Sequence, residues 1–340
     1  MRRLPLSALA LLFVALFASN CAGPGTGGSA GSSTAVSEAG PTRPFQVEDP
    51  PVFRAEGFRV ATFNAEFLFD GEEPEGRADF PWKGNPAASQ AHREAVARVI
   101  RTLDADLVVL QEAENLRALE LMIAEGLMDM GYTPHLVPGT DTFTRQNIGM
   151  LSRVPLEAQG RTDERAPVAG SSDTYGVSKN MWARFSLGGT PVTVIGVHFL
   201  AQPDNRARKP QREAQAEVIR RLVAREAAAG REVIVAGDFN DFDDEILDRR
   251  GSEPITDVLA TIKRGAALRN VMAEVPRARR FTALWDRNDN NRVDEGELSA
   301  IDHILLSPGL YRRLREVHYV HAHDPRVVSD HFPIVVTLAR

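Results

Sequence analysis

From residue 58 onward, short apolar runs rich in β-branched residues alternate with longer amphipathic stretches. Residues 58–63 (FRVATF), 105–110 (ADLVVL), 147–151 (NIGML), 181–185 (MWARF), 191–197 (PVTVIGV), 231–237 (REVIVAG) and 300–306 (AIDHILL) predict strands. Ile334 to Val336, just after Asp330 and His331, predicts another. Ser89 to Leu103 carries Val96, Val99, Ile100 and Leu103 on one stripe and predicts a helix. Gln211 to Ala229 predicts a second, started by Pro210 and stopped by Gly230. Some strands are separated by helices and others by short turns, and no internal repeat is visible. That mixture predicts one α/β domain with partly antiparallel sheets.

The N-terminus follows other rules. Arg2 and Arg3 precede an apolar run from Leu6 to Phe17, then Ala18, Ser19 and Cys21. This reads as an export signal over residues 1–20, too short to span a membrane. Cys21, the chain's one cysteine, stands where cleavage is expected and resembles a bacterial lipobox, although Asn20 departs from the usual small residue. An acylated Cys21 would make the chain an exported, membrane-anchored lipoprotein; plain secretion with Cys21 lost is the alternative. Either way no disulfide and no Cys-based metal site is expected. Residues 21–52, rich in Gly, Ser and Pro over 22–44, read as a flexible tether, with one catalytic domain over 53–340 that begins to order near Phe53. The formal net charge of −6 leaves no global basic field to draw nucleic acid, though local patches remain possible.

Polar residues gather where strands end. Asn64 and Glu66 follow the first strand, and Gln111 and Glu112 the second. His198 closes another, and Asp238 a further one with Asn240 two residues on. Asp302, Asp330 and His331 lie near the C-terminus. Each alone is ordinary: an acid in a turn, a satisfied histidine, a Gly-Asp-Asn turn. Together they are coherent, because strand ends favour ligand sites. Oxygen donors without cysteine suit Mg²⁺, Mn²⁺ or Ca²⁺. Asn and His suit phosphate oxygens. The set reads as a metal-assisted phosphoester site.

The segments ATFNAEFLFD, LVVLQEAEN, NIGMLSRVPL, GVHFLAQ, VIVAGDFND, IDHILLS and SDHFPIVV resemble the endonuclease/exonuclease/phosphatase family over about residues 58–340, in its order and spacing. The opening segment and QEAEN most resemble bacterial secreted nuclease-like members. The resemblance implies a four-layer α/β/β/α sandwich of two mixed, mostly antiparallel sheets flanked by helices. It implies Glu112 as chief metal ligand, with Asp330 completing or flanking the metal site. His331 would face the scissile phosphate, oriented by Asp302. Asp330 and His331 can serve both sides because neighbours on an extended chain point opposite ways. Asn64 would hold the glutamate or the phosphate, and Glu66 would ligate the metal or support it. His198 would donate to the phosphate or leaving oxygen. Asp238 and Asn240 would position the attacking water and a phosphate oxygen. Whether His331 or Asp238 takes the water's proton stays open.

Arg145 and Lys179 lie in loops that could reach the cleft. Arg212 and its neighbours in NRARKPQR could contact a nucleic-acid backbone, or form a solvated helix start. His318, His321 and His323 suggest zinc, but a polar edge strand and turn fits their spacing better. DRNDNNRVDEGE over 286–297 matches an EF-hand calcium loop. Asp286, Asn288, Asn290, Asp294 and Glu297 take ligand positions, Arg292 offers its carbonyl, and Val293 is the apolar anchor. Asn291 replaces the turn glycine. The flanks read as strands, so the loop would be a calcium clip on a β-connection; a plain polar turn is the alternative. The leading expectation is a monomeric, metal-dependent nuclease acting on nucleic acid. A phospholipid or sugar-phosphate esterase and a calcium-dependent binding protein on an inactive scaffold are the rivals.

Overall fold

The computed structural model of the chain describes residues 45–288, 290 and 292–340. The first sheet runs in spatial order β15 (Leu314–Tyr319), β16 (Ile334–Leu338), β1 (Phe58–Leu68), β2 (Leu107–Ala113), β4 (Asn147–Ser152) and β3 (Thr133–Leu136). The second runs β11 (Arg269–Asn270), β14 (Asp302–Leu306), β10 (Glu232–Asp238), β9 (Thr190–His198), β8 (Lys179–Leu187) and β5 (Ala158–Gly160). Two small hairpins accompany them, β6 (Arg165–Pro167) with β7 (Thr174–Gly176), and β12 (Ala283–Leu284) with β13 (Leu298–Ser299).

The strands read as unbroken apolar runs because both their faces are covered. On β1, Phe58 and Val60 face the second sheet, whereas Ala61 and Phe63 face helices. On β10, Ile234 and Ala236 face the first sheet, and Val233 and Val235 the other helical layer. The outer layers are α1 (Pro86–Leu103) and α2 (Leu116–Gly126) on the first sheet, and α3 (Lys209–Ala228) and α4 (Val258–Lys263) on the second. A short α5 (Pro308–Arg313) follows β14. The sandwich implied by the family motifs is therefore present, with mixed sheets. Val60, Val109, Val194 and Ile234 are fully buried between the sheets. Burying an aliphatic side chain of this size contributes about 1.5–3 kcal/mol. Gly196 lets the sheets approach, since a Cβ there would lie 2.6 Å from Ile148 and 2.8 Å from Val109.

Two strand pairs are parallel, β1 with β2 and β9 with β10. Parallel neighbours need a crossover, and α1 and α3 supply it. Asn85 caps α1 by accepting from the Ala88 amide at 3.2 Å, with Pro86 in the first turn. Gly230, at φ +79°, follows the end of α3. The helices start two or three residues before the positions read from periodicity, because these caps and prolines lie outside the apolar stripe.

Two expectations need correction. Among the described residues, packing already involves the segment before Phe53: Phe45 stacks on Phe332 at 5.1 Å, and the Glu48 amide donates to the His321 carbonyl at 2.9 Å. The histidine-rich segment is not simply a polar edge and turn. β15 is an edge strand, but His321 and His323 beyond it are buried, each with Nε2 3.0 Å from a backbone carbonyl. Cys21 lies outside the described residues. Among those described, no helix is long and apolar enough to cross a membrane.

His92 packs on Trp82, ring centroids 3.8 Å apart, with Nε2 2.9 Å from the Ala65 carbonyl. Burial pushes its pKa down to about 4. A folded pKa below the unfolded value stabilises above the unfolded pKa and loses that contribution as pH falls. The stability penalty of His92→Gln, read from denaturant midpoints, should therefore shrink by on the order of 2 kcal/mol between pH 7.5 and pH 5. A penalty independent of pH would show that His92 is not held neutral by the fold.

Candidate active site

The two parallel pairs end side by side, and the polar residues singled out in the sequence lie at or near these ends. On the second sheet, Asp238 lies in register with His198 on β9 and with Asp302 on β14. On the first, Asn64 pairs with Gln111, beside Glu112. Gly237, at φ +146°, passes so close to β9 that a Cβ would meet the Val197 carbonyl, which fixes where Asp238 emerges. Glu66, Glu112 and Asn240 have φ of +47°, +64° and +47°. Left-handed backbone at a residue other than glycine is uncommon and strained, and it gathers at functional sites.

The side chains converge across the cleft. Asn64 Nδ2 lies 3.4 Å from Glu112 Oε1 and 3.2 Å from Asp238 Oδ2. His198 Nε2 is 3.6 Å from Asp238 Oδ2 and 4.0 Å from Glu112 Oε1. The Asn240 amide donates to Asp238 Oδ1 at 2.7 Å, and its side-chain amide donates to the Phe199 carbonyl at 3.3 Å. His331 Nδ1 lies 2.8 Å from Asp302 Oδ2. A carboxylate only accepts, so Nδ1 carries the hydrogen and Nε2 faces Asp238 at 4.0 Å and Asp330 at 3.8 Å. The Asp330 amide donates to Glu66 at 3.2 Å.

The electrostatics separate these groups. Burial alone would lower the pKa of His331, but Asp302, then Asp330 and Asp238, raise it well above the usual value, so the ring is an imidazolium. Burial, then Lys179 and His331, push His198 well down, so it is neutral. Burial and the Asp302 charge raise Asp238 to about 7. Burial raises Glu112, and burial together with Asp330 and Glu112 raises Glu66 well above the carboxylate range.

This crowd of acids fits a divalent cation, whose charge would relieve the mutual repulsion. Asp302 Oδ1 is buried without a hydrogen-bond partner. Ligand atoms of Asp238, Asp302 and His331 lie within 4.8 Å of one another; among the described residues no other trio of possible ligands meets so closely. His331 is charged and bonded to Asp302, so it is a poor ligand. Glu112, Glu66 and Asp330 adjoin this group: Glu112 Oε1 lies 4.0 Å from His198 Nε2, Glu66 accepts from the Asp330 amide, and Asp330 Oδ1 lies 3.8 Å from His331 Nε2.

Arg212 is not in the cleft. It is fully buried, and its guanidinium donates to the Gln202 and Pro203 carbonyls at 2.6 Å each. Its stem lies under the loop after β9, which takes it out of reach of a substrate. Arg145 is part-exposed, 3.9 Å from Glu114. The Lys179 ammonium lies beneath the cleft surface, 3.0 Å from Gln146 Oε1 and 3.6 Å from Asp141. Two contributors were not singled out in the sequence: Gln146 lies outside the motifs, and Ser329 opens the SDHFPIVV segment. Gln146 donates to Glu112 Oε2 at 2.5 Å. The Ser329 hydroxyl donates to the Asn64 carbonyl at 2.7 Å and accepts from the His331 amide at 3.1 Å.

The β12–β13 hairpin supports the site from the side. Ala283 bridges to His331, the Leu284 amide donates to the Asp330 carbonyl at 2.9 Å, and Thr282 Oγ1 accepts from the Asp302 amide at 3.0 Å. Residues 286–297 span its two strands. Trp285, next to this support, is 63% exposed, with the Arg287 guanidinium 5.4 Å from its ring centre.

Comparison with solved structures finds the same fold at low identity. A 3'-5' exonuclease from Neisseria meningitidis aligns with TM-score 0.56 and 17% identity over 83% of this chain and 100% of its own. A Neisseria 3' phosphatase bound to a product DNA hairpin aligns with TM-score 0.54 and 18% identity over 83% and 100%. An AP endonuclease from Archaeoglobus fulgidus aligns with TM-score 0.53 and 15% identity over 83% and 99%. No curated protein matches the chain. Residues 61–331, most of the chain and all of the cleft residues, match the Endonuclease/Exonuclease/phosphatase family, and the chain belongs to that family.

Proposed function

We propose that this protein is a metal-dependent phosphodiesterase that hydrolyses nucleic acid by in-line attack of water. One observation carries the reading: His198 Nε2 and His331 Nε2 both face Asp238 Oδ2, at 3.6 and 4.0 Å, in a cleft lined by further acids. Trp285, exposed beside the His331 support and flanked by Arg287, favours nucleic acid over a phospholipid or sugar phosphate, since bases stack on such a surface. The Neisseria phosphatase bound to DNA is consistent with that choice. A binding protein on an inactive scaffold would need neither the Asp302–His331 pair nor the tuned Asp238.

Glu112, Glu66 and Asp330 would hold the cation, with Asn64 steadying Glu112. When bound, Mg²⁺ or Mn²⁺ supplies charge neutralisation at the phosphoryl oxygens. Asp238 takes the proton of the attacking water: its carboxyl, held to about 7, is a stronger base than an ordinary aspartate. The Asn240 amide on Oδ1 aims Oδ2 at the cleft. His331 cannot be the base while it is protonated, so it donates from Nε2 to a phosphate oxygen. Asp302 fixes its orientation and favours its charge. His198, neutral, offers a hydrogen bond to the phosphate or leaving oxygen without competing for the cation.

A second cation, Ca²⁺, is proposed for residues 286–297. Glu297 is buried and accepts from the Arg287 amide at 2.9 Å and the Asp294 amide at 3.1 Å. Asn288 donates to Asp294 Oδ2 at 2.8 Å, and the Asn290 amide lies 3.2 Å from Asp286 Oδ1; Arg292 would offer its backbone carbonyl. Asp294 Oδ1 is buried without a partner. Val293 packs with Phe281, Leu284, Leu298 and Phe332, as an apolar anchor should. Calcium here would brace the hairpin beneath Asp302 and His331. We also propose that Cys21 is acylated, so that the domain works as an exported, membrane-tethered monomer.

Three measurements test these readings. On plasmid DNA with Mg²⁺, Asp302→Asn should lower kcat by about 10²–10⁴-fold and leave KM within a few-fold, as for an orienting acid. Glu112→Gln should abolish turnover without unfolding the protein. Near-normal turnover in either variant would sink the corresponding role. For the clip, Ca²⁺ at a hundredfold excess over Kd should stabilise the wild type by about 2.7 kcal/mol. A Glu297→Gln, Asp286→Asn double variant should lose that gain, and an equal shift in both proteins rules the clip out. For the anchor, Cys21→Ser should move the protein from the membrane fraction to the soluble one. Wild type that is soluble and begins after residue 21 would refute acylation.

A further inference from the structure

We infer that Gln146 is the positioning residue that presents Glu112 to the active-site cation, with Lys179 as its anchor. The inference rests on the metal-dependent reading above and extends it to a residue outside every motif quoted from the sequence.

Glu112 needs such a guide. It is the penultimate residue of β2, in left-handed backbone with φ +64°, where the β2–β4 register shifts between Leu110 and Ala113. Strand pairing therefore does not aim its side chain. Its two oxygens have different surroundings. Oε2 accepts from the Phe67 amide at 3.0 Å and from Gln146 Nε2 at 2.5 Å. Oε1 has only the long contact to Asn64 Nδ2 at 3.4 Å and faces His198 at 4.0 Å. The first oxygen is filled from behind, and the second is left for the cleft.

The orientation of the Gln146 amide is not free. The Lys179 ammonium can only donate, and it lies 3.0 Å from Gln146 Oε1. The amide oxygen must face Lys179, so the NH₂ group must face Glu112. Lys179 is fixed in turn. It lies on β8 in register with His198, and Asp141 holds its ammonium at 3.6 Å. The chain Lys179–Gln146–Glu112 thus links the second sheet to a carboxylate of the first, across the cleft. Gln146 is 3% exposed, so water cannot easily replace it.

The choice of an amide has a physical reason. A lysine in direct contact with Glu112 would form an ion pair and compete with the cation. A carboxylate would add repulsion. A neutral donor fixes the carboxylate and leaves its charge for the metal. Removing such an orienting partner usually weakens metal binding by about 10–100-fold.

The test is calorimetric titration of the full protein with Mn²⁺, without substrate. Glu112→Gln serves as the reference, so that binding elsewhere is subtracted. Gln146→Met keeps the shape and removes both hydrogen bonds. It should weaken the Glu112-dependent binding by about 10–100-fold, with the metal-free melting temperature nearly unchanged. Gln146→Asn keeps a polar group in the buried site but is one methylene too short to span Lys179 and Glu112. It should weaken binding likewise, and it decides the matter should Gln146→Met fail to fold. Glu112-dependent Mn²⁺ affinity at the wild-type level in a folded variant overturns the role of Gln146 alone. Loss of affinity accompanied by a large fall in the metal-free melting temperature in both variants makes Gln146 a packing residue and also overturns it. A wild type without Glu112-dependent Mn²⁺ binding overturns the metal-dependent reading, and this inference with it.

Discussion

The apolar contact between the two sheets is the constraint on which everything else depends. Each sheet holds one parallel pair, and each pair can exist only because a helix returns the chain to the same end. Stacking the sheets then puts the ends of β1 and β2 opposite the ends of β9 and β10. Asn64, Glu112, His198 and Asp238 become neighbours although up to 174 residues separate them in sequence. The close approach at Gly196, against Ile148 and Val109, sets how near the two halves come. A rigid interior transmits that distance to the cleft.

The site works against the stability of the fold that builds it. Glu66, Glu112 and Asp238 are all pushed toward the protonated form, chiefly by burial and partly by one another. Three of the site residues hold left-handed backbone without being glycine. Strain of this kind persists only where the surroundings over-determine it. Here the surroundings are the fully buried strands and the neutral donors at the rim: the Phe67 amide, Gln146, Asn64 and Ser329. The Phe67 amide, Gln146 and Asn64 orient carboxylates without cancelling their charge, and Ser329 ties the backbones of Asn64 and His331 together. A cation bound here would relieve the remaining repulsion, and its binding would then be linked to the stability of the cleft.

His331 illustrates the division of labour between sequence neighbours and distant partners. Its charge comes from Asp302 on the other sheet, and its place comes from Ser329 and from the hairpin strand that carries Ala283. The hairpin also holds the Asp302 amide through Thr282. His331 and Asp302 are therefore braced by the same small element.

The sequence by itself determined the strands that are apolar on both faces, the two long helices, and the strand-end acids and histidines. These are local properties: a continuous β-branched run, a stripe at helical spacing, a polar residue where the run stops. The motif order also determined the layer architecture, and the left-handed Glu112 and Asn240 lie within those motifs. Other features depended on distance in space. Arg212 looks like a phosphate-binding cation in sequence, but the turn before α3 folds back over it and its donors go to the Gln202 and Pro203 carbonyls. His321 and His323 look like an exposed polar run, yet Phe45, Phe281 and Phe332 close over that region and carbonyls satisfy the rings. Gln146 looks like any loop glutamine, because its role exists only when β8 and β2 face each other. Hydrophobic period and motif spacing report on neighbours along the chain; the partner of a buried polar group is chosen by the packing of elements far apart in it.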